Sequence, residues 1–443
     1  MRDLTVGNEA RLIFNFAVPL VFGNLFQQLY HVVDSIIVGN YLGKEALAAV
    51  GASSPIFYAL IAFIIGIGSG ATVVISQYFG AKDLAKVKRA IDTIFIFLFV
   101  ASIVTTAIGI TFSEEIFRFL HVEEAVIPMA TQYFNVFMIG MVAFFGFSAT
   151  SSVLRGLGDS LTPLVFMIIA TVINIGLDIL FIVQFNWGIE GVAWATVIAQ
   201  GIAFIAGAIY LTHRHQIISF RVTEFTFDRA IFKQSIKIGL PTGFQQTFVA
   251  LGLMALIRIV NNFDTNVLAA FSVASRIDAL AAMPSLNLAS ALAAFVGQNL
   301  GAGKIERIRK GLRATLMMSW CISLVVMTGV ICFGQHIMAV FIQDAEVIRH
   351  GTNYLVIVSS FYLIFSTMFV MHGVLRGAGD TLIPMFITLF SLWIIRIPFA
   401  VFLSERFGVN GIWWAIPIGW SMGLIGSILY YLSGRWKLKS IVR

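Results

Sequence analysis

The sequence predicts an all-α polytopic membrane protein, with about twelve transmembrane helices in two pseudo-two-fold related six-helix lobes. Three observations predict it. Hydrophobic residues make up 59% of the chain and charged residues 12%, with a mean hydropathy of +0.92, whereas soluble domains carry about 25% charged residues. Apolar runs of roughly 20 residues, each able to cross a hydrocarbon core of about 30 Å as a helix, recur along all 443 residues. The second half also repeats the first at a spacing of about 221 residues, which carries Gly80 onto Gly301 and Gly156 onto Gly377.

Breaking the hydropathy at charged clusters gives spans near 12–39, 46–79, 90–112, 128–154, 161–184 and 189–211. A polar linker begins at His213, and spans near 233–260, 267–298, 311–340, 351–373, 381–404 and 408–432 follow. The expected domains are therefore a six-helix lobe at 1–212, a cytoplasmic linker at 213–232 and a second lobe at 233–443. An even number of spans starts both lobes on the same side, so the repeat axis lies along the membrane normal and the lobes are free to rock.

Register-matched polar residues mark the repeat. Gln77-Tyr78-Phe79-Gly80-Ala81 matches Gln298-Asn299-Leu300-Gly301-Ala302, and Leu154-Arg155-Gly156 with Gly158-Asp159 matches Leu375-Arg376-Gly377 with Gly379-Asp380. Gly188, Gly191, Trp194 and Ala195 match Gly408, Gly411, Trp414 and Ala415, while Pro19 matches Pro241 and Pro163 matches Pro384.

The net charge of +7 does not imply a nucleic-acid partner, because the basic residues sit in short segments between apolar runs. Most of the 29 Lys and Arg fall on one side, among them Lys82, Lys86, Lys88, Arg89, Lys304, Arg307, Arg309, Lys310 and Arg313. The positive-inside bias places both termini on the cytoplasmic side of the membrane. Residues 2–11 are polar and the first apolar segment is too long for a signal peptide, so it stays as a span. Cys321 and Cys332 fall in one predicted helix, which supports neither a disulfide framework nor a zinc site. No catalytic signature occurs: Gly297 to Lys304 has the wrong glycine spacing for a phosphate loop, and Ile305 stands where Mg²⁺ needs a hydroxyl.

At Pro19, at Val33-Asp34-Ser35-Ile36-Ile37-Val38-Gly39, at the Gly-Gln-x-x-Gly-Ala element of 297–302 and at the paired Leu-Arg-Gly-x-Gly-Asp loops, the chain resembles the multidrug and toxic compound extrusion (MATE) family over its full length. Asn174, Asp178 and Thr196 resemble the DinF-type branch. The resemblance implies two facing lobes in a bacterial or archaeal inner membrane and export of organic cations or amphiphiles in exchange for H⁺ or Na⁺, with no other cofactor, by a monomer. Where NorM-type members carry carboxylates in the seventh and tenth helices, this chain has Gln245, Gln246 and the apolar stretch Phe361 to Met371, which puts any coupling site in the first lobe.

Asp34 and Asp178 are the first candidates, because a bare carboxylate at membrane depth costs at least ~2.5 kcal/mol and needs a partner, a proton or a cation. Asn174 and Asp178 share a helix face as i and i+4, and Thr196 adds a hydroxyl, an oxygen set suited to Na⁺ or to a shared proton. Pro19 is a candidate hinge, and His31 is a packing residue or a proton relay. Arg155 with Asp159 and Arg376 with Asp380 are candidate gate pairs, whereas Arg276, Asp278 and Arg396 are second-lobe charges expected to pair with one another or to bind an anionic group. A competing class is a lipid-linked oligosaccharide flippase of the same superfamily, which calls for a strongly basic cavity and often extra helices.

Overall fold

The computed structural model describes residues 2–214 and 225–442, and among them every regular element is helical. The helices are α1 (Glu9–Tyr41), α2 (Gly43–Gly80), α3 (Leu84–Thr111), α4 (Ser113–Phe119), α5 (Ile127–Ile139), α6 (Met141–Gly156), α7 (Leu161–Ile179) and α8 (Gly188–Arg214). The second series is α9 (Arg229–Val260), α10 (Thr265–Gly301), α11 (Ile305–Phe341), α12 (Ala345–Ser359), α13 (Tyr362–Gly377), α14 (Leu382–Leu389), α15 (Ile397–Phe407) and α16 (Val409–Leu432). Ten spans among the described residues are continuous helical runs long and apolar enough to cross a membrane, one of them running from α14 through a π-helical turn into α15, and two bent pairs bring the number to as many as twelve. Large apolar side chains such as Phe119, Val325, Val340 and Leu432 are exposed on the outside, a surface that hydrocarbon covers at no cost.

The fourth expected span of each half is broken. α5 and α6 meet at 49°, and α12 and α13 at 52°. Gly140 lies at the first break, where an added Cβ would come within 2.2 Å of Val197 Cγ2; glycine both weakens the helix and lets α8 approach. At the second break Ser360 donates its hydroxyl to the Val356 carbonyl at 2.7 Å, the back-bond that competes with the ladder and bends helices. The two halves also share a turn after their long second helices. Asp83 N donates to Tyr78 O and Lys304 N to Asn299 O, with Lys82 at φ +60 standing where Gly303 has φ +72.

The chain forms two compact units, one of residues 1–2 and 19–239, the other of residues 3–18 and 240–443. The boundary falls inside α1 at Pro19 and inside α9 beside Pro241, not in the expected linker, of which residues 215–224 lie outside the described residues. α1 itself continues unbroken through Pro19. In the second unit the amino-terminal segment is anchored along its backbone. Leu4 N donates to Gln298 Oε1 at 2.8 Å, Asn299 Nδ2 to Leu4 O at 3.1 Å, Lys304 Nζ to Thr5 O at 3.0 Å, and Arg307 pairs with Glu9 at 3.0 Å. Gln298 thus anchors the tail. The first unit repeats the device: Asp228 N donates to Thr93 Oγ1 at 3.0 Å and Tyr78 OH to Gln234 Oε1 at 3.0 Å.

The second unit has an aromatic core in which Trp413, wholly buried, lies parallel to Phe271 at 5.6 Å and edge-on to Tyr354 at 5.0 Å. Trp413→Ala removes both stacks and leaves a large void. It is expected to cost about 3–5 kcal/mol, seen as a lower melting temperature of the purified protein in detergent.

Candidate functional site

The first unit brings four of the sequence candidates to one place. Asp34 from α1, Asn174 and Asp178 from α7 and Thr196 from α8 are 7%, 1%, 0% and 2% exposed. The i, i+4 spacing puts Asn174 and Asp178 on the face of α7 that meets α8, where Asn174 Nδ2 donates to Thr196 Oγ1 at 3.3 Å. The Asp34 and Asp178 carboxyl groups adjoin, yet Asp34 Oδ1, Asn174 Oδ1 and both oxygens of Asp178 have no hydrogen-bond partner. Buried polar atoms are ordinarily paired. Four acceptor oxygens left bare in one apolar place form a centre with an unmet need for protons or for a hard cation.

Two tyrosines complete the centre. Tyr30, one turn before Asp34 on α1, shares a hydrogen bond of 2.7 Å with Thr196 Oγ1, and the buried Tyr133 of α5 lies within electrostatic reach of both carboxylates. Tyr133 in turn packs in a cluster with Phe57 and Phe137, whose rings are 4.0 Å apart. Asp178 is followed by a π-helical turn, Leu180–Gln184, a local widening often seen beside functional residues. His31 lies at the edge of the centre: it is exposed, with its ring edge-on to Tyr30 at 5.0 Å.

The other sequence candidates are arranged differently from expectation. Arg155 and Asp159 do not pair. Arg155 Nε donates back to Ser151 O at 3.2 Å, as cations at helix C-termini do, and Asp159 accepts from the Leu161 and Thr162 amides and from the Thr162 hydroxyl at the start of α7. Arg376 and Asp380 do not pair either: Arg376 donates to Gln245 Oε1 at 2.8 Å, and Asp380 accepts from Tyr430. Gln245 also donates to Thr388 Oγ1 at 2.6 Å, so it is a structural brace. Arg276 is exposed and cannot reach Asp278, because residues two apart on a helix face different ways. Asp278 instead accepts from Tyr362 at 2.8 Å and Tyr354 at 3.4 Å. Arg396, the last residue of a π-helical turn at Phe390–Arg396, lies within electrostatic reach of Asp278 without an ion pair.

The comparisons with known proteins cover the whole arrangement. The sequence family described as MatE matches residues 19–180 and again 241–402, the two copies of the internal repeat. The chain is 32% identical to the Probable multidrug resistance protein YpnP of Bacillus subtilis (strain 168), over 98% of this chain and 97% of that one. It is 31% identical to the Probable multidrug resistance protein YoeA of the same organism, over 97% of this chain and 94% of the other. Among solved structures, the outward-facing conformation of a multidrug resistance MATE family transporter superposes with a TM-score of 0.89 at 24% identity, covering 98% of this chain and 96% of that one, which supports the fold. These relatives are transporters rather than enzymes, and none favours the flippase alternative. The duplicated match, the full-length relatives and the twelve-span fold together show that this chain belongs to the MATE family of multidrug efflux transporters.

Proposed function

We propose that the protein exports amphiphilic or cationic small molecules from a bacterial cytoplasm in exchange for H⁺ or Na⁺, and that the ion binds at Asp34, Asn174, Asp178 and Thr196. One observation carries the reading: the adjoining carboxylates of Asp34 and Asp178 are buried in a membrane-spanning bundle with oxygens that nothing in the protein satisfies. Such a centre is costly when empty and charged. Binding of one or two protons, or of Na⁺ with Asn174 and Thr196 as further oxygen donors, relieves that cost. The ion then has a differential affinity for the conformation that holds the oxygens together, which is the requirement for shifting a two-state equilibrium. Inward movement of one positive charge releases about 2.3 kcal/mol per 100 mV, the source of uphill export. Pro19 of α1, at the boundary between the two compact units, serves as the hinge through which Asp34 acts.

The test uses purified protein in liposomes preloaded with a fluorescent organic cation, with a pH gradient and a Na⁺ gradient imposed separately. Efflux under one of them names the ion, and efflux under neither sinks the reading. If Na⁺ is the ion, Thr196→Val removes one oxygen donor and the hydrogen bonds to Asn174 and Tyr30. The Na⁺ concentration for half-maximal efflux should then rise about tenfold, while dye binding without a gradient stays as it is.

A further inference from the structure

The second unit holds buried side-chain donors that nothing in the protein satisfies. The bare atoms around Asp34 and Asp178 are acceptor oxygens, whereas Arg376 Nε, Arg396 Nε and Trp413 Nε1 of the second unit are buried donors without acceptors. Arg396 is the extreme case, because no hydrogen bond or ion pair joins it to any described residue. Its natural partner, Asp278, is held by the hydroxyls of Tyr362 on α13 and Tyr354 on α12. Gly419 of α16 makes room for the arginine stem, since a Cβ there would lie 3.0 Å from Arg396 Cβ. Trp413, also on α16, packs edge-on to Tyr354 at 5.0 Å. Arg396 itself is half-buried.

A guanidinium offers five donors in a planar fork that matches a carboxylate or a phosphate, and leaving it unpaired within a membrane span is expensive. The two tyrosines keep Asp278 from spending its charge on Arg396, so the cation stays available while the nearby carboxylate balances it. We propose that Arg396, flanked by Tyr354, Tyr362 and Asp278, is a seat for an anionic oxygen group, a carboxylate or phosphate, borne by an amphiphilic molecule. Resting on the exporter reading, this makes the transported class amphiphiles that carry such a group, zwitterions included. A lipid headgroup phosphate and a free substrate would share the seat's chemistry.

The test is an equilibrium titration of the full-length protein in a neutral maltoside detergent, followed by fluorescence anisotropy of two dyes, a carboxyfluorescein and a cationic rhodamine ester. Arg396→Gln should weaken carboxyfluorescein binding at least about tenfold and change rhodamine binding less than twofold. Arg396→Lys, which keeps the charge, should recover part of the loss. Tyr362→Phe leaves Arg396 in place but frees Asp278 to neutralise it, and should weaken the same dye severalfold; it carries the test if Arg396→Gln does not fold. Phosphorus assay of co-purified phospholipid separates the sources: phospholipid lost on Arg396→Gln assigns the seat to a lipid headgroup, and dye loss alone assigns it to a substrate. If neither dye nor phospholipid responds to Arg396→Gln and Tyr362→Phe, the seat is overturned, even with gradient-driven efflux intact. Arg396-dependent dye binding without gradient-driven efflux would instead overturn the exporter reading and leave the seat standing.

Discussion

Asp34→Asn and Asp178→Asn are each expected to abolish gradient-driven efflux while leaving the protein at least as stable as the wild type. The two halves of that result have one cause. An ionised carboxylate buried without partners is a net cost to the fold, and three carboxylate oxygens of the first unit's centre, Asp34 Oδ1 and both of Asp178, have no partner. Replacing one carboxylate with the isosteric amide removes charge from an apolar place, so the melting temperature should hold or rise. The same change removes the group that takes up the driving ion. Loss of one translocated charge forfeits about 2.3 kcal/mol per 100 mV, close to a fiftyfold difference in the substrate ratio that the gradient can sustain. The double variant should be no worse than either single one, because residues acting as one unit are not additive. A variant that lost stability along with transport would mark these carboxylates as structural glue.

The second large effect is structural and lies in the first unit. An added Cβ at Gly70 would meet Ser235 O at 2.3 Å and Gly239 N at 2.6 Å, and one at Gly239 would meet Gly66 O at 2.8 Å. Backbone stands on both sides of this contact between α2 and the start of α9, so no side chain can turn away to make room. Gly70→Ala should therefore cost about 3 kcal/mol, at the upper end for overpacking. Gly329→Ala on α11, where nothing lies within 4 Å, should be neutral or slightly stabilising. Melting temperatures of the two variants in the same detergent check the contrast.

Much of this was legible in the sequence because the bilayer imposes severe rules. Apolar length gave the spans, and the cost of an intramembrane carboxylate singled out Asp34 and Asp178, with Asn174 following from the i, i+4 spacing. Tyr30 was equally accessible, standing four residues before Asp34 on the same face, but a tyrosine at membrane depth carries no cost that draws the eye. Tyr133 left no signal, since its approach to the carboxylates depends on how α5 packs. The breaks at Gly140 and Ser360 escaped because hydropathy does not register a bend. The expected pairs Arg155–Asp159 and Arg376–Asp380 failed for a local reason: helix-end carbonyls, amides and a neighbouring tyrosine supply nearer partners than the opposite charge does.

The exchange of segments between the compact units bears on how the chain is made. A ribosome that has released the first 212 residues has delivered all the spans of the first half, yet that unit still lacks residues up to 239, including the Ser235 and Gly239 backbone against which Gly70 packs. Residues 3–18, among the earliest to emerge, wait for a unit that begins at Leu240. Neither half can mature alone in order of synthesis, so late docking of both first-helix segments is a built-in checkpoint of assembly. A split protein divided at the linker should therefore assemble only when both fragments are co-produced.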